Sequence, residues 1–222
     1  VNVQGWKGLT ISLWVKPERK EGDELSIILD NGHSAGSDFV IQSADSSGGK
    51  WVWHCNGIDI FFDLPLDKWT QVVVIADGEK GIVRAYTSGS QVTEVRTDEG
   101  FEFGPTPLTI GKLAKADARY FKGSIDKIAI WDKVPDVVGD VVLKHRKSSM
   151  SDAYAVWNMD ADTKDALADS RGGYSAKSFN TEIVEGHSGN ARHFNGKDSY
   201  IQTPVNVQGW KGLTISLWVK PE

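Results

Sequence analysis

Residues 50–55 read KWVWHC. In an extended strand Trp51, Trp53 and Cys55 share one face while Val52 and His54 share the other, because successive side chains point to opposite sides. Residues 9–15 use the same device, with Leu9, Ile11, Leu13 and Val15 opposed to Thr10, Ser12 and Trp14. Outward from these two stretches, short runs of β-branched and aromatic residues recur at 25–30, 38–43, 58–62, 69–76, 81–87, 107–111, 122–131, 154–159, 191–195 and 199–203. Turn residues separate them, among them Ser46-Ser47-Gly48-Gly49, Asp77-Gly78, Ser88-Gly89 and Arg171-Gly172-Gly173. The pattern predicts an all-β, two-sheet antiparallel sandwich. Some strands carry large apolar groups on both faces, so part of the second face is expected to be covered or concave. One short helix is predicted near 135–146, where Pro135 sits at a first turn and Val137, Val138, Val141 and Val142 follow at helical spacing. Gly139 weakens that helix by about 1 kcal/mol relative to alanine.

The composition narrows the function classes. Hydrophobic residues make up 40% and charged residues 25% of the 222, the balance of an ordinary globular domain. No run approaches the roughly 18 apolar residues that cross a bilayer, so membrane insertion within this segment is not expected. Net charge is −5 with the basic residues scattered, which argues against a nucleic-acid partner. Cys55 stands alone, so an internal disulfide framework is excluded. The chain starts at Val1 without a basic-then-apolar leader, so any export signal is expected to lie outside this segment or to have been removed.

The strongest single fact is a repeat. Residues 1–18 and residues 205–222 both read VNVQGWKGLTISLWVKPE, eighteen identities at an offset of 204. That period is the size of a whole domain rather than of a solenoid unit. It implies one period of a tandem array plus the start of the next copy, or an engineered duplication of one strand.

Several strings resemble the concanavalin A-like, laminin-G-like family of jelly-roll domains. Phe121-Lys122-Gly123-Ser124-Ile125-Asp126-Lys127-Ile128-Ala129-Ile130-Trp131 is similar to that family's closing strand. Leu66-Asp67-Lys68-Trp69-Thr70-Gln71-Val72-Val73-Val74 resembles an interior strand with its leading tryptophan. Tyr154 to Asp160, Asp169-Ser170, Gly186 to Ala191, Phe194 to Ile201 and Leu213 to Pro221 resemble its opening segments. The cyclic order places the family's usual start near Met150–Tyr154 and its usual end near Arg146. The resemblance therefore implies that 1–146 holds the larger part of a sandwich, 147–153 a linker between repeats, and 154–222 the opening strands of the same fold. Those last strands complete the same domain by permutation or begin the next repeat, with one of the two copies of 9–15 left over.

For function the resemblance implies a non-enzymatic module of the cell surface or extracellular space. The leading expectation is a structural or adhesive repeat whose partner is itself, assembling end to end into filaments through the surplus strand. The alternative is a lectin-like module that binds glycans. Related sandwiches include glucanases, whose paired carboxylates lie about 5–5.5 Å apart. The nearest local candidate here, Glu21-Gly22-Asp23-Glu24, sits in a polar loop without flanking apolar alternation, so no catalytic residues are assigned. The resemblance also implies a structural Ca2+ where the last strand meets the opening segment, held by Asp126 and Asp160 with oxygens from Asn195 and Gly196. A glycan site would draw on His54, Asn56 and Asp59 with the loop His33–Asp38, or on Trp6 with Lys7. Trp14, Trp51, Trp53, Trp69, Trp131 and Trp157 fall in core strings instead. His145, His187 and His193 have no evident metal partners.

Overall fold

The computed structural model describes residues 9–22, 24–32, 39–45, 49–55, 57–98, 106, 108–131, 134, 153, 155–160, 163, 165–204 and 214–218. These residues form seventeen strands: β1 (Leu9–Pro17), β2 (Ile27–Asp30), β3 (Phe39–Ser43), β4 (Lys50–Cys55), β5 (Ile58–Asp63), β6 (Thr70–Asp77), β7 (Ile82–Thr87), β8 (Ser90–Arg96), β9 (Thr109–Ile110), β10 (Lys122–Trp131), β11 (Ala155–Trp157), β12 (Ala166–Leu167), β13 (Ala176–Phe179), β14 (Glu182–Glu185), β15 (Asn190–Asn195), β16 (Tyr200–Gln202) and β17 (Thr214–Trp218).

One sheet runs β14-β15-β10, then the position shared by β1 and β17, each of which pairs both β10 and β6, then β6-β7-β8, with β11 also on β10; the other runs β12-β13-β16-β9-β2-β3-β4-β5. Strands from distant parts of the chain are neighbours: β15 pairs β10 through Lys122↔Asn195 to Ile125↔Arg192, and β16 pairs β9 through Ile201↔Ile110. The chain thus closes on itself in jelly-roll fashion, its later strands filling places beside its earlier ones.

The alternation in KWVWHC has the expected outcome. Trp51, Trp53 and Cys55 are buried between the sheets, and Trp53 stacks on Phe39 with ring centroids 4.8 Å apart. Phe121 packs edge-on against both Trp51 and Phe194, so aromatic rings from three strands' neighbourhoods lock the two sheets together. The core draws on Ile28, Val72, Val74, Ile125, Ile128 and Trp157 as well. A second, separate apolar cluster lies on the opposite side of β6 and β10, where Val73, Ile75, Tyr86, Ala129, Trp131 and Val156 meet. This is why β6 (TQVVVIAD) is apolar on both faces: all eight of its residues are buried.

Asp169 fixes the segment between β12 and β13. Its Oδ1 accepts the backbone N–H groups of Val156 and Arg171, and its Oδ2 accepts those of Gly173 and Tyr174, at 2.9–3.1 Å. A carboxylate with its lone pairs taken by backbone donors holds a turn that has no ladder of its own.

One expectation is corrected. No helix occurs among the described residues, and 135–146, where one was expected, lies outside them. The two copies of the repeated strand, β1 and β17, run in the same direction, with Thr10 level with Thr214 and Ile11 with Ile215, and both take their register from β6 and β10.

Candidate functional site

The outward face of β3, β4 and β5 presents a small grid set by strand pairing. Gln42 stands opposite Val52, Val52 opposite Phe61, and His54 opposite Asp59. Because β5 alternates strictly, Ile58, Ile60 and Phe62 point to the core while Asp59, Phe61 and Asp63 point outward. Phe61 is 56% exposed, an unusual position for a ring on a sheet face. His54 Nδ1 meets Asp59 Oδ1 at 2.5 Å, and the Arg119 guanidinium donates to Gln42 Oε1 at 3.0 Å. Leu25, Gln42, Ala44, His54, Asp59 and Phe61 border a depression of about 230 Å³. An exposed ring beside a fixed imidazole–carboxylate pair and an amide can stack against an apolar face and exchange hydrogen bonds with hydroxyl groups.

Of the residues expected here from the sequence, the structure brings His54 and Asp59 together. Asn56, Trp6, Lys7 and the loop 33–38 lie outside the described residues. Phe61 and Gln42 were not singled out from the sequence, although the period-2 pattern that placed Ile60 and Phe62 inside puts Phe61 outside. A second aromatic platform was also missed. Phe179 and Tyr200 stack at 4.5 Å with an angle of 12°, and Lys112 Nζ lies 4.6 Å from the Tyr200 ring centroid. Its strand β13 is short and mixed in composition, so no run of apolar residues announced it.

The acidic cleft lies elsewhere, at a bulge in β10. Lys127 takes a left-handed conformation, φ +50°, and the pairing of β10 with β1 shifts register beside it. Asp126 is fully buried. Its Oδ2 accepts the Ser188 N–H at 3.3 Å, while its Oδ1 has no hydrogen-bond partner among the described residues. Burial pushes its carboxyl up to about 7; the Ser188 N–H and Lys127 oppose this, and the Asp160 charge adds to it. Asp160 Oδ1 accepts the Asn190 N–H at 2.9 Å, so the two acids bracket the turn 186–190.

Two glycines allow that turn to approach. A Cβ at Gly189 would fall 2.1 Å from Asp160 Oδ1, and one at Gly186 would fall 2.9 Å from Asp126 Oδ2. The orphaned buried oxygen and the neighbouring second carboxylate fit a hard divalent cation, which prefers such donors. Asn195 and Gly196 do not belong to this cleft. Asn195 pairs Lys122 at the far end of β10, its Oδ1 accepts the N–H groups of Lys197 and Asp198, and Gly196 packs on Lys122. The turn 186–190 takes the place expected of them. Among the described residues no group of three or more His, Cys, Asp and Glu could hold a metal ion, so any cation here would rely on backbone oxygens too.

The remaining histidines have structural partners. His187 lies edge-on to Trp69 at 6.3 Å, and burial holds its imidazole below the usual range. His193 meets Glu18 at 3.2 Å, and His145 lies outside the described residues. In the acidic loop, Glu24 is held by Lys20 and by the Arg119 N–H.

The fold has counterparts among solved structures. A "putative carbohydrate binding protein" from Bacteroides ovatus aligns at TM-score 0.60 and 12% identity, covering 97% of this chain and 55% of that one. The chain thus spans about half the length of that protein. A heptameric SAP-like pentraxin from Limulus polyphemus aligns at TM-score 0.38 and 16% identity, over 53% of this chain and 57% of that one. The botulinum neurotoxin serotype G binding domain aligns at TM-score 0.39 and 10% identity, over 91% of this chain and 68% of that one. At 12% identity the first of these likenesses speaks for the fold alone, and at TM-scores below 0.5 the other two carry no argument. No curated protein matches the sequence. Residues 2–136 match the family Laminin_G_3, described as the Concanavalin A-like lectin/glucanases superfamily. That match spans more than half of the chain, and the protein belongs to the concanavalin A-like lectin/glucanase superfamily.

Proposed function

We propose that this chain is a non-catalytic carbohydrate-binding module of an extracellular or cell-surface protein. The observation that carries the reading is the grid on β3–β5, where the exposed Phe61 ring stands beside the His54–Asp59 pair and Gln42. The pyranose ring offers one apolar face and several hydroxyl groups, which such a surface complements. Membership in a lectin-containing superfamily supports it. The test is a glycan array probed with the 222-residue chain. Competable binding of a defined sugar class is expected, weakened at least tenfold in Phe61→Ala and in His54→Ala while both melt like the parent. No binding above background, or binding untouched by both substitutions, would remove this reading.

Asp126 and Asp160, with backbone oxygens of the turn 186–190, form a structural Ca2+ site in this proposal. Its role is to neutralise two acids that face one turn, not to touch the sugar.

A second reading, a structural or adhesive repeat of a large surface protein, is favoured by the exact identity of 1–18 and 205–222. Repetition multiplies weak contacts, so it is compatible with sugar binding. An array-negative protein that still adheres to cells or to itself would favour it.

A further inference from the structure

The two copies of the repeated segment are directed to one place in the fold. Leu13 of β1 stands opposite Val72 of β6, and so does Leu217 of β17. Trp14 stands opposite Asp126 of β10, and so does Trp218. Ser12 faces Ala129, which puts Thr10 in register with Trp131, and Trp131 is the residue that Thr214 faces. Leu217, Trp218 and Thr214 are Leu13, Trp14 and Thr10 displaced by the repeat offset of 204.

A strand has two hydrogen-bonding edges. One edge of β6 is taken by β7 along its length, from Val72↔Thr87 to Asp77↔Ile82. One edge of β10 is taken by β15 and β11. Each therefore has a single edge left, and neighbouring strands lie about 4.8 Å apart. Between β6 and β10 there is room for one strand, whereas the chain carries two with the same sequence and the same register.

We infer that residues 9–17 and 214–218 are alternative occupants of this one slot, and that the copy left out is an interaction strand fitted to the same slot in a second copy of this chain. The chain then has two closures of one sandwich, differing only in which end of the repeat is inserted. The count of strands and slots bears on end-to-end assembly of this 222-residue chain. Each chain brings two strands and one slot, so exchange between intact chains leaves as many strands displaced as before. Tethering gives a chain's own copy an effective concentration of order millimolar, so self-closure prevails in dilute solution. Pairing between molecules becomes dominant only where a slot has no competent strand of its own.

Proline separates these possibilities, because it removes a ladder hydrogen bond and is not tolerated in a strand paired on both edges. The full-length chain is made as Ile11→Pro, Ile215→Pro and the double variant. Each single variant is expected to melt cooperatively within a few degrees of the parent, and the double variant to lose its cooperative transition. A single variant that fails as completely as the double variant shows that only that copy is used and overturns the inference. A double variant that melts like the parent overturns it as well. For the partner, the double variant is refolded with an excess of the peptide VNVQGWKGLTISLWVKPE, or with the same peptide carrying proline at its eleventh residue. Recovery of the cooperative melt with the first peptide and not the second is expected. Equal recovery with both, or with neither, overturns the second-copy partner.

Discussion

Strands β5 and β6 lie almost side by side in the sequence yet meet opposite environments. In β5 (IDIFFD) buried and exposed residues alternate without a break, whereas in β6 (TQVVVIAD) every residue is buried. The first sits at the edge of its sheet with one face in water, and the second lies inside its sheet between two apolar clusters. The difference teaches where a site can be built. A face covered by Trp131, Val156 and their neighbours has no room for a ligand, while the open face of β3–β5 leaves a ring and a polar pair exposed. Sandwich symmetry is broken by what covers each sheet, and the uncovered face is the one that carries the proposed site.

The sharpest way to break this comparison is to place a charge on each strand. Val73 lies on the outer cluster of β6 opposite Tyr86, and Val73→Asp should cost at least about 4–5 kcal/mol, since a carboxylate there is buried among apolar neighbours. Urea unfolding measures it, and a loss below about 1 kcal/mol would show that the outer face of β6 is open. On the inner layer shared by both sheets, Trp53→Ala should cost about 3–5 kcal/mol by emptying the space beside Phe39. A smaller loss would mean that the core collapses around the gap.

Next in size is a pH effect at Asp126. An acid whose folded-state value, about 7, lies above its ordinary 3.8 binds more protons folded than unfolded between those limits. Stability in chelator should therefore fall as pH rises from about 4 to about 7 and level off above, by on the order of a few kcal/mol. Millimolar Ca2+ should flatten that slope by stabilising the ionised form, and Asp126→Asn should abolish both the slope and the calcium response. Melts that coincide in calcium and chelator at pH 7.5 would exclude the ion. The smallest effect is expected at Phe61→Asp, within about 0.5 kcal/mol of the parent, because that position already faces water. A large loss there would make Phe61 part of the packing and take away the sugar-binding surface.

Alternation made β4 legible, since Trp51, Trp53 and Cys55 of KWVWHC are buried as the period required, while β6 was announced by the continuous apolar run within 69–76. Strands such as β8, with its largely exposed SQVTEVR, and the two-residue β12 were not legible, because edge pairing needs no apolar run. Trp69, expected in the core, is only partly buried and packs beside His187. At the site, His54 and Asp59 could be chosen because they stand on the polar side of strongly patterned strands. The turn 186–190 could not be placed at Asp126, since that contact depends on a bulge at Lys127 and on glycines at 186 and 189 whose sequence spacing says nothing about what they approach.

The interior position of β1 also has a mechanical consequence. It is bonded to β6 over seven residue pairs, Leu9↔Ala76 to Val15↔Thr70, and to β10 on its other edge. Tension drawn along that strand would load these bonds together, in shear, so none could fail until many did. The two pairs that join β12 to β13 would instead open one after the other, like a zip. Resistance to a pulling force is governed by the unfolding rate rather than by equilibrium stability. The pairing of β1 is therefore the part of the sheet that such tension would load all at once.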